Sequence, residues 1–375
     1  MNTSNTTLLY NTSRPRLNQS LVGLIVGLGL MRPLIAAESS PVEIRCVVPR
    51  ATSTVAVDGK IERQEYVGAM GAPVEYFHPD FANRAGQFYF LWDDEAFYVG
   101  LRTLDTKAFS PEAPLWEGDA VEWYFDARRG ADFLSQAWPK EPNAGAVHCF
   151  FTAMHEDRLE PRFTLRPGFE QAIPKLGVKV AAQRTAAGLE VEFKLPWSNF
   201  PAFKPRVGEV IGVDAELSYS DGAERSYRSF VFGSPLSVQQ PANLARVELV
   251  ERLERKHWQS CGPILMPIRV DVPWNQSTRP HAVAQIALPP EREEEIGRIV
   301  FKLTDLSGKL LGEFAAEDEL SLAKDGGFAI RKARWPAEIA APGRYHVNAV
   351  VFDKQGAELT RVAPRLVSVN VAPGY

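Results

Sequence analysis

Apolar and polar residues alternate over most of the chain after residue 42, and this alternation predicts β-strands with one buried face. Two aromatic-rich runs, 87–92 and 96–101, flank Asp93-Asp94-Glu95 and predict a hairpin. Further strands are predicted at 121–125, 148–153, 176–180, 189–195, 210–217, 227–232 and 245–250. Their spacing and the lack of long helical periodicity favour an all-β, antiparallel β-sandwich over residues 42–252. The polar segment 129–146 is predicted to be an irregular loop.

A second β unit is predicted towards the end of the chain. Residues 253–273 are charged and then interrupted by Pro, which is typical of a linker. Alternating segments follow within 274–375, at 282–288, 298–304, 309–313, 343–352 and 366–371. Turn signals such as Ser307-Gly308 separate them. The pattern predicts a smaller immunoglobulin-like or fibronectin-like β-sandwich.

The first 37 residues have the pattern of a signal peptide. A polar segment with Arg14 and Arg16 precedes the apolar run 21–30, and Ala36-Ala37 provides a small-residue cleavage site. Arg32 and Pro33 interrupt the approach to that site, so an uncleaved membrane anchor is the alternative. The run is short for a membrane span. We therefore expect export, to a secreted, periplasmic or cell-surface location, with no membrane span after cleavage.

Composition narrows the possible partners. The 375 residues include 42 Lys and Arg against 46 Asp and Glu, a net charge of −4. Without a basic excess, a nucleic-acid partner is not expected. Cys46, Cys149 and Cys261 are too far apart for a disulfide-dense scaffold or a metal-ligand motif. The oligomeric state is left open.

The segment 115–126, LWEGDAVEWYFD, is the strongest candidate for chemistry. Alternation places Glu122, Tyr124 and Asp126 on the open face of a strand, with Trp116 at its rim. An exposed aromatic ring beside carboxylates suits a sugar, because the ring covers C–H groups and the carboxylates accept hydrogen bonds from hydroxyls. The alternative is an ordinary half-buried strand with an interior Trp.

Four segments in order resemble the family 9 carbohydrate-binding modules, part of the DOMON-like group of β-sandwiches, over residues of roughly 45–250. They are Val57-Asp58-Gly59-Lys60-Ile61, the hairpin 90–99, the segment 115–122, and 188–197 with 208–214 after it. The resemblance implies the sandwich fold and binding of a carbohydrate, such as the end of an oligo- or polysaccharide.

The resemblance also implies which residues bind. In sugar-binding members two aromatic rings sandwich a terminal sugar while a Glu grips its hydroxyls. Trp116 and Glu122 match the first Trp and the Glu, and Tyr124 lies beside them. The segment expected to supply the second Trp, 218–227, has none, so Tyr219, Tyr227 or Phe232 would substitute. The expected ligand-binding residues are Trp116, Glu122, Tyr124, Tyr219 and Tyr227.

Some relatives bind structural calcium, although no cofactor is required. Asp58, Asp93 and Asp94 are oxygen ligands of the type that calcium prefers. A hairpin tip with solvated acids is the competing interpretation of the same residues.

Three other functions compete with sugar binding. A glycosidase needs two carboxylates facing each other across a sugar, and no catalytic frame is recognisable, so we expect a non-catalytic protein that could support a separate glycoside hydrolase. A ligand-free surface or assembly scaffold is favoured by the missing second Trp. A haem-binding redox module would use His148, Met154 or His155, but a c-type haem attachment motif is lacking.

Overall fold

The computed structural model describes residues 44, 46–73, 85–104, 118–139, 145–152, 162–165, 177–186, 188–220, 225–232, 236–254, 257, 269–271, 281–286, 296–316, 329–334, 343–361 and 364–369. These residues form an all-β protein with very short helices: α1 (Leu236–Gln239) and 3-10 turns at Gly130–Asp132, Trp197–Asn199 and Pro241–Asn243. All of the predicted signal peptide and most of the predicted linker lie outside the described residues. Within them, none of the helices has the length and apolar character needed to cross a membrane.

Two facing sheets are built from the first twelve strands. The strands are β1 (Cys46–Pro49), β2 (Met70–Pro73), β3 (Ala85–Trp92), β4 (Ala96–Leu104), β5 (Ala120–Asp126), β6 (Ala146–Thr152), β7 (Arg162–Leu165), β8 (Lys179–Arg184), β9 (Gly188–Pro196), β10 (Val210–Ser220), β11 (Arg225–Phe230) and β12 (Ala245–Val250). One sheet has the order β1-β12-β10-β5-β6-β7, with β11 paired to the second half of β10. The other has the order β2-β3-β4-β9-β8. Neighbours are antiparallel except for the parallel pair β1–β12.

Aromatic side chains fill the space between these sheets. Alternation along β5 turns Val121, Trp123 and Phe125 into the core. The ring of Trp123 stacks on Phe193 of β9 with centroids 4.6 Å apart, and Phe125 meets Phe97 of β4 edge-on at 5.1 Å. Each such side chain contributes about 2–3 kcal/mol through its removal from water. The predicted antiparallel sandwich is confirmed.

The strand predictions hold closely, with a few differences at the periphery. The predicted strand 176–180 lies at Lys179–Arg184, and the short strands β1, β2 and β7 were not predicted. Each of these three has only four residues, which is too short for alternation to stand out. Tyr66 and Trp197 are buried in the hydrophobic interior, as predicted.

The later part of the chain forms two smaller sheets. Its strands are β13 (Arg269–Asp271), β14 (His281–Ile286), β15 (Ile296–Thr304), β16 (Leu310–Ala315), β17 (Ala329–Arg334), β18 (Gly343–Asp353), β19 (Glu358–Arg361) and β20 (Arg365–Val369). One sheet is β13-β14-β17, and the other is β16-β15-β18 with β19 and β20 both paired to β18. The β character of this part is confirmed, whereas its immunoglobulin-like arrangement and the domain boundaries stay predictions.

Candidate functional site

Strand β5 places Glu122, Tyr124 and Asp126 on the face of the seven-stranded sheet that points away from the core. Across the strand pair, Glu122 lies opposite Glu216 of β10, and Tyr124 lies opposite Asp214. The prediction that the three β5 residues share one face is therefore confirmed. Because β10 carries acids at the same alternate positions, carboxyl groups from two strands meet on this face.

This outer face is covered, so the expectation that it is open is wrong. Glu122 is 3% exposed, and Tyr124 and Asp126 are fully buried. Leu134 and Trp138, from the segment predicted to be an irregular loop, pack over Tyr124 together with Phe230 and Leu244. The rings of Tyr124 and Trp138 have centroids 6.2 Å apart. Apolar residues inside that polar segment allowed it to fold back onto the sheet.

The cover is fastened to the sheet by Asp126. Its carboxylate accepts hydrogen bonds from the guanidinium of Arg128 at 2.8 and 3.0 Å and from the backbone N–H of Leu134 at 2.9 Å. Leu134 has a left-handed backbone with φ +51°, and its side chain occupies the space that a Cβ on Gly212 would need. Gly212, in the 208–214 segment, thus leaves room for the side chain of Leu134.

A cluster of polar side chains lies beneath this cover, and we call it the carboxylate cluster: Glu122, Tyr124, Glu216, Ser218 and Arg228. The hydroxyl oxygen of Tyr124 is 2.8 Å from Oε2 of Glu122 and 2.7 Å from Oε2 of Glu216. Arg228 donates to both oxygens of Glu216, with Nη2 at 2.6 Å from Oε2, and the Ser218 hydroxyl donates to Oε1 at 3.2 Å. The cluster joins β5, β10 and β11.

Burial changes the acidities in the carboxylate cluster. Burial, followed by the charges of Glu122 and Glu216, raises the pKa of Tyr124 well above its ordinary value, so the phenol keeps its proton. Burial and then the charge of Glu122 raise the pKa of Glu216.

Two further buried acids connect β10 to neighbouring segments. At one end, Asp119 accepts hydrogen bonds from the N–H and the hydroxyl of Ser220, at 2.8 and 3.1 Å. Further along, Asp214 accepts from the N–H of Phe232 at 3.0 Å and from the hydroxyl of Ser237 at 2.7 Å. Burial raises the pKa of Asp214 to about 7.

A family model described as carbohydrate family 9 binding domain-like matches residues 57–250, more than half of the chain. The chain belongs to this family. Among solved structures, it is similar to a family 9 carbohydrate-binding module from Caldicellulosiruptor kristjanssonii in complex with cellotriose, with 16% identity and a TM-score of 0.44, over 56% of this chain and 96% of that one. A family 9 carbohydrate-binding module from the same organism in complex with glucose has 16% identity and a TM-score of 0.43, over 55% of this chain and 97% of that one. No curated protein matched this chain.

The predicted ligand-binding residues of this family 9 domain fall into three groups. Glu122 and Tyr124 meet in the carboxylate cluster. Tyr219 lies on the opposite face of β10, 2% exposed within the core between the sheets. Tyr227 pairs with Tyr219 through the backbone of β11, but its side chain and all of Trp116 lie outside the described residues. Phe232 is partly buried and stacks on Phe90 at 6.2 Å.

Glu216, Ser218 and Arg228 are the members of the carboxylate cluster that sequence reasoning missed. The signal for Glu216 was present, since Asp214, Glu216 and Ser218 alternate with the apolar residues 213, 215 and 217 in β10. Nothing in the sequence marks Arg228 as its partner, because their contact depends on the pairing register of β10 with β11.

The acids predicted to bind calcium accept hydrogen bonds from nearby backbone and side-chain groups, and one of them forms an ion pair. Asp93 accepts from the backbone N–H groups of Glu95 and Ala96 and from the hydroxyl of Tyr98, Asp94 pairs with Arg50, and Asp58 accepts from the N–H of Lys60. Among the residues that the structure describes, no group of three or more His, Cys, Asp or Glu could hold a metal ion. Calcium binding at these acids stays a prediction.

The residues of the haem alternative are mostly outside the described part of the chain. His148 lies on β6, opposite Tyr124 in the backbone register, and its side chain is not among those described. Met154 and His155 also lie outside the described residues.

Proposed function

We propose that this chain is an exported, non-catalytic carbohydrate-binding protein. A sugar, such as the end of an oligo- or polysaccharide, would stack on Trp116 and form hydrogen bonds with Glu122. The observation that carries the proposal is membership of the carbohydrate family 9 binding domain-like family over residues 57–250. The signal-peptide pattern of residues 1–37 supports export, and binding would support polysaccharide breakdown by a separate glycoside hydrolase.

The geometry around β5 supports placing the site at its start. Glu122 is the carboxylate of β5 nearest to Trp116 in sequence, and the Asp119–Ser220 hydrogen bonds hold the backbone just before β5 against the end of β10. Arg228 and Ser218 donate hydrogen bonds to Glu216, which lies opposite Glu122 on β10. A neutral sugar requires hydrogen-bond donors and acceptors beside an aromatic ring, and in this proposal Trp116 would supply the ring.

Glycan-array binding followed by calorimetry tests the proposal. We expect a dissociation constant on the order of micromolar to millimolar, because one or two ring contacts and a few hydrogen bonds supply modest affinity. Replacing Trp116 by Ala should remove binding, and the matched variant Trp116→Phe, which keeps a ring, should retain much of it. Equal binding by wild type and Trp116→Ala would show that the site lies elsewhere.

A ligand-free surface or assembly scaffold is the second candidate, and the covered outer face favours it. Burial of Glu122, and burial of Tyr124 against Leu134 and Trp138, is what a purely structural cluster would show. If a broad glycan array gives no binding while the purified chain is folded, the scaffold function is the better conclusion.

A further inference from the structure

An open cavity lies in the later part of the chain, where the turn that follows β18 meets the start of β15. Its volume is about 430 Å³, and it is lined by Gly297, Arg298, Asp353, Lys354, Gln355 and Gly356. Cavities that hold small molecules measure about 300–1,000 Å³, so this one has room for a small ligand. Its lining residues are separate from the carboxylate cluster.

The shape of the cavity depends on a bulge in β15. The pairing register of β15 with β18 skips Gly297, which is therefore an extra residue on its strand. A Cβ on Gly297 would lie 2.3 Å from the carbonyl oxygen of Asp353, so any side chain here would push β15 away from the turn. Gly297 and Gly356 both present bare backbone to the cavity, which lets a ligand approach closely.

The side chain of Arg298 points to an anionic ligand. Its guanidinium carbon lies 4.7 Å from the ring centroid of Phe352, its cross-strand neighbour, and this cation–π contact holds the planar group in place. Arg298 and Lys354 are both exposed, and neither forms an ion pair within the described part of the chain. A guanidinium that is held in place and has no ion-pair partner can bind a carboxylate through two parallel N–H groups.

Asp353 limits which anion fits the cavity. Its Oδ1 accepts hydrogen bonds from the N–H groups of Gln355 at 2.9 Å and Ala357 at 2.7 Å, which leaves Oδ2 available as an acceptor. The lining side chains carry two positive charges and one negative charge, so one positive charge is left over. A single carboxylate balances it, whereas a phosphate dianion would add an excess negative charge beside Asp353.

The remaining polar groups of the cavity suit hydroxyl groups. Oδ2 of Asp353 can accept a hydrogen bond from a hydroxyl, and the side-chain amide of Gln355 can both donate and accept. A simple carboxylate would use the two cations alone, whereas a carboxylate that also carries hydroxyls would use all four side chains. The lining therefore favours a small, singly charged, hydroxyl-rich ligand.

We propose that this cavity is a second ligand site and that it binds a sugar acid. The carboxylate of the ligand pairs with Arg298 and Lys354. Its hydroxyls form hydrogen bonds with Asp353 and Gln355. The site is separate from the neutral-sugar site proposed at Trp116, and binding at it does not depend on that proposal. With both sites the chain would bind polysaccharides that contain acidic as well as neutral sugars.

Ligand-observed NMR titrations of the full chain with glucuronic acid and with glucose test the second site. The two sugars differ in one carboxylate, so a difference in binding between them reports that group. We expect glucuronic acid to bind with a dissociation constant on the order of millimolar, and to do so in Trp116→Ala as well. Arg298→Ala should lower this affinity about tenfold and Lys354→Ala about threefold, because the arginine makes paired contacts with the carboxylate.

Two controls separate a specific site from general attraction between charges. Arg344→Ala removes an exposed arginine near the other end of β18 that does not line the cavity, so this variant should bind glucuronic acid like wild type. Acetate carries the carboxylate without the hydroxyls and should bind at least about fivefold more weakly than glucuronic acid.

The possible outcomes distinguish the second site from the first. Absence of glucuronic acid binding, or equal binding by wild type and Arg298→Ala, would overturn the second site. Acetate that binds as tightly as glucuronic acid would overturn the assignment to a sugar acid. If the chain binds no neutral glycan but binds glucuronic acid in a manner that requires Arg298, the proposed function fails and the second site stands.

Discussion

Gly59 donates its backbone N–H to the carboxylate of Glu192 at 2.8 Å, across 133 residues of sequence. The same Oε2 also accepts from the N–H groups of Asp58 at 2.9 Å and Lys60 at 3.2 Å, and the hydroxyl of Tyr66 donates to Oε1 at 3.0 Å. Three successive N–H groups around one carboxylate form an anion-binding turn. The opening segment of the domain and the β9 segment, which both carry the family resemblance, therefore meet at this contact.

Replacing Gly59 by Ala should destabilise the domain by about 2 kcal/mol or more. Gly59 has φ +93°, and an added Cβ would lie 2.8 Å from the carbonyl carbon of Ala182. The positive φ of Gly59 and the contact with Ala182 both belong to the backbone, so no side-chain movement can relieve them. Urea unfolding followed by circular dichroism measures the change.

Gly68→Ala is the matched control for that variant. Gly68 also has a left-handed backbone, with φ +71°, but among the residues that the structure describes, its chain neighbours aside, no heavy atom lies within 4 Å of its added Cβ. The expected cost is about 1 kcal/mol, from backbone conformation alone. If the two variants lose equal stability, the close approach of Ala182 is not important.

Glu192→Ala should cost about 3 kcal/mol, because the three N–H groups lose their shared acceptor. Glu192→Gln keeps a carbonyl oxygen for them and lets its amide donate to Tyr66, so its loss should be below about 1 kcal/mol. Thermal unfolding of the two variants side by side checks this. A Gln variant as unstable as the Ala variant would show that the charge, rather than the acceptor, is required.

Asp214 should make the folded state less stable as pH rises. Burial raises its pKa from 3.8 to about 7, so the folded chain holds the proton more tightly than the unfolded chain. Its stabilising contribution is complete below about pH 4 and is lost as pH rises to about 7. Asp214→Asn stays neutral and can keep the acceptor for Ala215 and Phe232.

The free energy of unfolding of both proteins should therefore be measured between about pH 4 and 8. Relative to wild type, Asp214→Asn should become more stable as pH rises through this range. A constant difference between the two curves would mean that Asp214 has an ordinary pKa in the folded state.

Asp119→Ala should weaken sugar binding while the domain stays folded. The side chain holds Ser220 through two hydrogen bonds, and it lies three residues after Trp116. We expect about tenfold lower affinity and a stability loss of about 1–2 kcal/mol. Asp119→Asn preserves an acceptor for the N–H of Ser220 and should bind nearly as well as wild type. Wild-type affinity in the Ala variant would show that this anchor does not shape the site.

Local sequence was sufficient for the strands and their faces. Alternation in 121–125 placed Trp123 in the core and Glu122 with Tyr124 on the other side, and the structure confirms both. The reason is local, since successive side chains of an extended backbone point to opposite faces whatever the strand pairs with. The family could be named from segments of this kind.

The tertiary structure alone decided what each face meets. The exposure of Tyr124 depends on Leu134 and Trp138, whose segment looked like a solvated loop. The partner of Glu122 depends on the register of β5 with β10, which joins residues 94 positions apart in sequence (216 − 122). Pairing register and covering segments arise from contacts distant in the chain, so the sequence determined the strands and the candidate acid, and the fold decided its burial and its neighbours.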